Sequence, residues 1–184
     1  MPRLPEILDV NQLPEDQRDL FEYLAGTRGS VRMPFSVVAH SPETARRVSH
    51  LGTFLRFESS VPAKINELAI CEVGREFNSR HEYYAHSRLA RQAGASEEAL
   101  DAIAYRKPLD HLSEEEALPI RYARELLINH EAKDETFNAV LERYGEAGVV
   151  ELTAAIGYYC MMCQLLNALQ IYTPESEGVL PKLD

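Results

Sequence analysis

The stretch ELAICEVGREFNSRHEYYAHSRLARQAG, residues 67–94, contains the end of one helix, a break, and a second helix. Pro62 suits the start of the first, because an opening turn needs no N–H from proline, and that helix is expected to run through Phe77. Asn78 or Ser79 then caps a helix reaching about Ala93, closed by Gly94, which accepts the left-handed C-terminal conformation. The same punctuation recurs along the chain. Ser41-Pro42 opens a helix to about Phe57 and Ser96 one to about Tyr105. Ser113 with Glu116 reads as a capping box before a helix to about Asn129, and Asp134 starts another that Gly145 ends. No run alternates apolar and polar residues for long enough to make a strand, so the fold class is all-α, a multi-helix bundle completed by a charge-free helix from about 147 to 170.

A chain of 184 residues is read as a single domain, 1–184, with an N-terminal helix and arm over 1–33 and a C-terminal tail over 173–184 that leaves as an extended arm at Thr173-Pro174. The formal charge is −10 and no basic run occurs, which argues against nucleic acid, since phosphates require clustered Lys and Arg. The N-terminus lacks the apolar core of a signal peptide, and three cysteines fit a reducing, cytoplasmic setting. Leu152 to Tyr172 carries no formal charge and is long enough to cross a bilayer. Gln164, Asn167 and Gln170 recur on it without flanking basic residues, so a buried or subunit-interface helix is expected and no membrane partner.

Within NSRHEYYAH, residues 78–86, helical spacing puts Ser79, Glu82 and His86 on one face. A carboxylate one turn from an imidazole raises the imidazole pKa and lowers its own, and such a pair can move protons near neutral pH. Glu67, in an apolar run of the preceding helix, needs a partner if buried, and His86 or His81 across the helix pair can supply it. From the residues alone the Glu82/His86 pair is equally a structural ion pair. His81 and Tyr84 occupy another stripe. Glu67, Glu82 and His86 do not make an expected metal set, because zinc sites with two histidines are commoner, so no metal is assigned.

Residues 67–103, with Val61-Pro62-Ala63-Lys64 before them and ELTAAIGYYCMMCQLLNALQI after, resemble the carboxymuconolactone decarboxylase family and its alkylhydroperoxidase D-like relatives. The peroxidase branch has Glu, eleven residues, Cys-x-x-Cys, three residues, His. Here Glu67 and His86 hold the outer positions, while Ser79 and Glu82 stand where the thiols would be. That departure removes the thiolate and the resolving thiol that a peroxidase needs at this place. Asn78, Glu82, Tyr83 and His86 look instead like the decarboxylase-like members. The resemblance implies a helical alkylhydroperoxidase D-like fold, a homo-oligomer (dimer, trimer or hexamer), a small-molecule substrate and no cofactor. It also implies a carboxy-lyase reaction or proton shift on a small unsaturated lactone or carboxylic acid. Glu67, Glu82 and His86 would be catalytic, and Asn78, Ser79, His81 and Tyr83 would contact substrate.

Cys160-Met161-Met162-Cys163 has redox spacing. Glu151-Leu152 echoes Glu67-Leu68, Gly157 echoes Gly74 and Asn167 falls where His86 does, the pattern of a decayed internal repeat. Apolar neighbours make packing the first reading of Cys160 and Cys163. A thiol peroxidase using that pair, and a non-catalytic oligomeric binding protein, are the rival functions.

Overall fold

The computed structural model describes residues 2–171 and 174–183. Among these residues eight α-helices follow one another: α1 Asp19–Arg28, α2 Phe35–Val38, α3 Pro42–Thr53, α4 Ala63–Glu76, α5 Arg80–Gln92, α6 Glu97–Ala104, α7 Glu114–Asn129 and α8 Asp134–Leu169. No strand occurs among the described residues. The fold is all-α, as the punctuation predicts.

Helix α4 lies at the centre, packed by α5, α6, α7 and α8, and every residue from Ile65 to Arg75 is buried. A helix covered all round must settle its own charges, because unpaired buried charge is expensive. Glu67 meets His86 of α5, and Glu72 receives both Nε and Nη2 of Arg124 from α7 at 2.9 and 3.1 Å. Gly74 lets α5 approach: a Cβ there would lie 3.1 Å from the Tyr83 nitrogen.

The cap positions follow the sequence, but Ser41, Ser79 and Ser113 make no side-chain cap hydrogen bond and Ser96 does. Ser79 is the N-cap of α5, Gly94 takes φ 87° after it, and Ser96 Oγ accepts from Ala99 N–H at 3.1 Å. Ser113 does precede α7, but its side chain makes no cap. Glu116 instead accepts from the Ser96 N–H and hydroxyl at 2.7 and 2.8 Å, tying α7 to the start of α6. A three-residue spacing cannot tell a local cap from one that reaches another helix.

Helix α3 runs on as a π-helical turn, Phe54–Glu58, and Asn66 of α4 donates to the Leu55 carbonyl at 2.7 Å. In α8 the backbone leaves helical geometry at Gly145 (φ 70°, ψ 179°), the break expected there, and continues to Leu169. This helix is long and apolar enough to cross a membrane by length and composition. Half of its most apolar window is nevertheless buried against the rest of the protein. Glu151, the counterpart of Glu67 in the sequence echo, accepts from Ser59 and Ser60 and so anchors the loop before α4. Residues 151–167 lie in one helix, whereas 67–86 cross a turn.

The first residues wrap the bundle: Leu20 and Leu24 are buried, and Arg3 N–H donates to the Leu169 carbonyl. The tail departs from expectation. Thr173 lies outside the described residues, but Pro174–Ser176 form a 3-10 turn. Ser176 and Leu180 are buried, Leu180 beside Leu68, Tyr83 and Leu100, so the segment docks instead of extending.

Candidate active site

Helices α4 and α5 are antiparallel neighbours joined by a turn at Phe77–Ser79, and this geometry brings Glu67 opposite His86. His86 Nδ1 lies 2.5 Å from Glu67 Oε2, and its Nε2 lies 3.1 Å from Glu82 Oε2 on the same helix. All three side chains are buried, so the imidazole is clamped between two carboxylates away from bulk water. The ring of Tyr159 stands edge-on to it, with centroids 4.7 Å apart.

Burial alone would lower the His86 pKa, but the charge and hydrogen bond of Glu67 and the hydrogen bond of Glu82 outweigh it and raise the value to about 9. The ring is therefore an imidazolium at neutral pH, donating from both nitrogens. Glu82 shows the reciprocal effect: burial opposes ionisation, yet the hydrogen bond to His86 and the nearby positive charges hold its pKa down.

Glu82 and His86 open onto a pocket of about 270 Å³, whose wall also includes His81, Arg56, Tyr159 and Met162. Arg56 comes from the π-helical turn after α3, and its Nε is buried without a hydrogen-bond partner. Its charge is close enough to lower the Glu82 pKa. His81 Nδ1 is likewise buried and unpartnered, and burial lowers the His81 pKa, leaving the ring neutral at pH 7. The pocket thus combines an ionised Glu/imidazolium pair, a guanidinium and a neutral imidazole. Among the described residues no three His, Cys, Asp or Glu side chains are disposed to hold a metal ion.

Three expected substrate contacts point elsewhere. Asn78 sits in the left-handed region (φ 49°) on the turn and is exposed at a different cleft. Tyr83 faces the core and donates its hydroxyl to the Leu100 carbonyl at 2.9 Å. Ser79 is buried, its Oγ without a well-formed hydrogen bond beside the Cys163 thiol. Among those four positions only His81 reaches the pocket wall. Arg56 and Tyr159 were not among the expected site residues; the arginine set between aromatic residues in FLRF, residues 54–57, is the one signal that could have marked Arg56.

Cys163 is fully buried, and burial followed by the Glu82 charge pushes its thiol pKa far up. Cys160 borders a separate surface cleft with His130, and burial raises its pKa too. All three cysteines are free thiols.

No family model and no curated protein matches the chain. Solved structures do. An uncharacterised peroxidase-related protein with an alkylhydroperoxidase AhpD core, from Ralstonia eutropha JMP134, superposes with a TM-score of 0.74 at 19% identity over 98% of both chains. A peroxidase-related protein from Silicibacter sp. TM1040 gives 0.72 at 17% identity over 96% of each chain. A cysteine-to-alanine variant of the debrominase Bmp8, solved with 2,3,4-tribromopyrrole, gives 0.72 at 13% identity over 96% of this chain and 95% of that one. At these identities the likeness establishes the fold, which is AhpD-like.

Proposed function

We propose that this protein is a cofactor-independent acid–base enzyme of the carboxymuconolactone decarboxylase type. Its substrate is a small unsaturated lactone or carboxylic acid, which loses carbon dioxide or undergoes a proton shift. The observation that carries the reading is the buried His86, held as an imidazolium between Glu67 and Glu82 at the wall of a pocket that also presents Arg56. A structural ion pair needs no cavity beside it, no unpartnered guanidinium nitrogen and no neutral histidine with a free ring nitrogen.

In the reaction the Arg56 guanidinium holds the substrate anion, and His81 hydrogen-bonds its carbonyl or ring oxygen. The carbon–carboxylate bond breaks, and its electron pair moves into the substrate's own conjugated carbonyl to form a dienolate. The His86 Nε2 proton then goes to carbon, directly or through the Glu82 carboxylate, and Glu67 holds the ring in place while its charge changes. Water restores the proton. The substrate's conjugation accepts the electrons, so the scheme calls for no bound cofactor. The reading takes residues 1–184 as one catalytic domain working in the cytoplasm as a homo-oligomer.

Cys160 and Cys163 serve the rival peroxidase reading less well, because raised thiol pKa values disfavour the thiolate that attacks peroxide. The test is carbon dioxide release or proton exchange into a panel of small unsaturated lactone acids, comparing the wild type with His86→Gln. Turnover that survives in a folded His86→Gln protein overturns the assignment. Peroxide consumption lost on replacing both cysteines by serine would put the chemistry in the thiols.

A further inference from the structure

The turn that starts α5 separates the acid–base pocket from a second, larger cleft of about 1160 Å³. Its walls are the ends of α4 and α6, the first residue of α5, and the docked tail from Glu177 to Leu183. Arg75, Arg80, Arg106 and Lys182 line it, against one carboxylate, Glu177. In a chain of net charge −10 this is a local reversal of sign, and a cleft of one sign focuses the field on a ligand of the other.

The arginine at the base of the cleft is built in. Arg75 is only 3% exposed, donates from Nη1 to the Pro181 carbonyl at 2.9 Å, and has a buried Nε with no partner. Its neighbour Arg106 is paired with Glu76 at 2.8 Å but remains 40% exposed. Burial, and then the charge of Arg106, lower the Arg75 pKa, while the carboxylates of Glu72 and Glu76 act in the opposite sense. The wall opposite is fixed, because Leu180 is inserted into the core beside Tyr83 and the tail cannot withdraw without exposing it.

We propose that this cleft binds a small molecule through its phosphate groups, with Arg75 and Arg106 gripping the anion and Arg80 and Lys182 at its rim. Guanidinium forks match the geometry of phosphate oxygens, and cations arriving from four separate segments suit an anion with several charged oxygens better than a single carboxylate. The site is separate from the pocket of Glu82 and His86 and does not depend on the reaction proposed there.

The experiment is calorimetric titration of the full chain with inorganic pyrophosphate at fixed ionic strength, with citrate as a carboxylate of comparable charge. Saturable pyrophosphate binding is expected, weakened about tenfold or more in Arg106→Gln, as loss of one charge-assisted contact implies. Arg75→Gln should abolish it. Because Arg75 also holds the tail, the half-exposed Arg106→Gln and the exposed Lys182→Ala keep the test decisive if Arg75→Gln fails to fold. Arg56→Gln, in the other pocket, should leave pyrophosphate binding unchanged. The proposal is overturned by absence of saturable binding, by equal affinity in Arg106→Gln, by loss confined to Arg56→Gln, or by citrate binding as tightly. It is also overturned if pyrophosphate fails to bind and Arg106→Gln lowers the sedimentation coefficient, since carboxylates of a second copy would then fill the cleft.

Discussion

The backbone of Tyr83 closely approaches Gly74: a Cβ at position 74 would meet the Tyr83 nitrogen at 3.1 Å and its Cα at 3.3 Å, closer than side chains ordinarily pack. That close approach of α4 and α5 lets Glu67 and His86, on adjoining turns of the two helices, come to 2.5 Å. Packing and candidate chemistry therefore depend on the same contact.

Gly74→Ala should push α5 outward and destabilise the protein by roughly 1–3 kcal/mol, the usual cost of overpacking a tight contact. Denaturant unfolding would measure the loss. The turnover of the folded fraction should fall too, because the Glu67–His86 distance opens. A Gly74→Ala protein of unchanged stability would mean that the helices part without strain.

Replacing His86 by glutamine should lower turnover by about a hundredfold or more, the scale of a lost general acid. Circular dichroism would establish that the variant is folded before the rate is compared.

With a folded-state pKa of about 9, the His86 imidazolium predicts a rate that is flat around neutrality and falls through an alkaline limb near pH 9. Glu67 supplies the strongest upward influence on that value. Glu67→Gln should therefore move the limb down toward the ordinary imidazole range, and a pH–rate profile of both proteins would read it.

The same group links pH to stability. Its folded pKa is raised above the 6.5 of a free imidazole, so its contribution is complete below about pH 6.5 and is lost as pH rises through about 9. A shift of this size corresponds to something on the order of 3 kcal/mol. Urea midpoints measured from pH 6.5 to 9.5 should fall in the wild type and fall less in Glu67→Gln.

Cys71 and Cys163 are fully buried, whereas Cys160 is partly exposed. A thiol reagent should label Cys160 slowly in the native protein and reach the other two only on unfolding. Cys160→Ser should leave the acid–base turnover within about twofold of wild type, since the side chain borders another cleft. Rapid native labelling of Cys163 would contradict its burial.

Much of this was legible in residue order. Helix ends are local events, so Ser79, Gly94 and Ser96 could be placed from their own backbone requirements, and Gly145 broke its helix where expected. A partner for Glu67 was legible too, because a buried carboxylate needs one and the adjoining helix offered His81 and His86, of which packing selects His86. Which surface covers a helical face is another matter, since it is set by contacts between residues far apart in the chain. Tertiary packing turned Tyr83 to the Leu100 carbonyl, sent Glu116 across to Ser96 and buried Ser79 beside Cys163. It also brought Tyr159 of α8 against the imidazole and Arg56, from a π-helical turn, to the wall of the same pocket. The sequence by itself determined an all-helical chain with a Glu82/His86 pair one helical turn apart and a carboxylate, Glu67, in need of a partner on the neighbouring helix. Only the folded packing decided that this pair has a pocket, and which side chains share it, because helical periodicity specifies a direction around each axis but not the neighbour that lies along it.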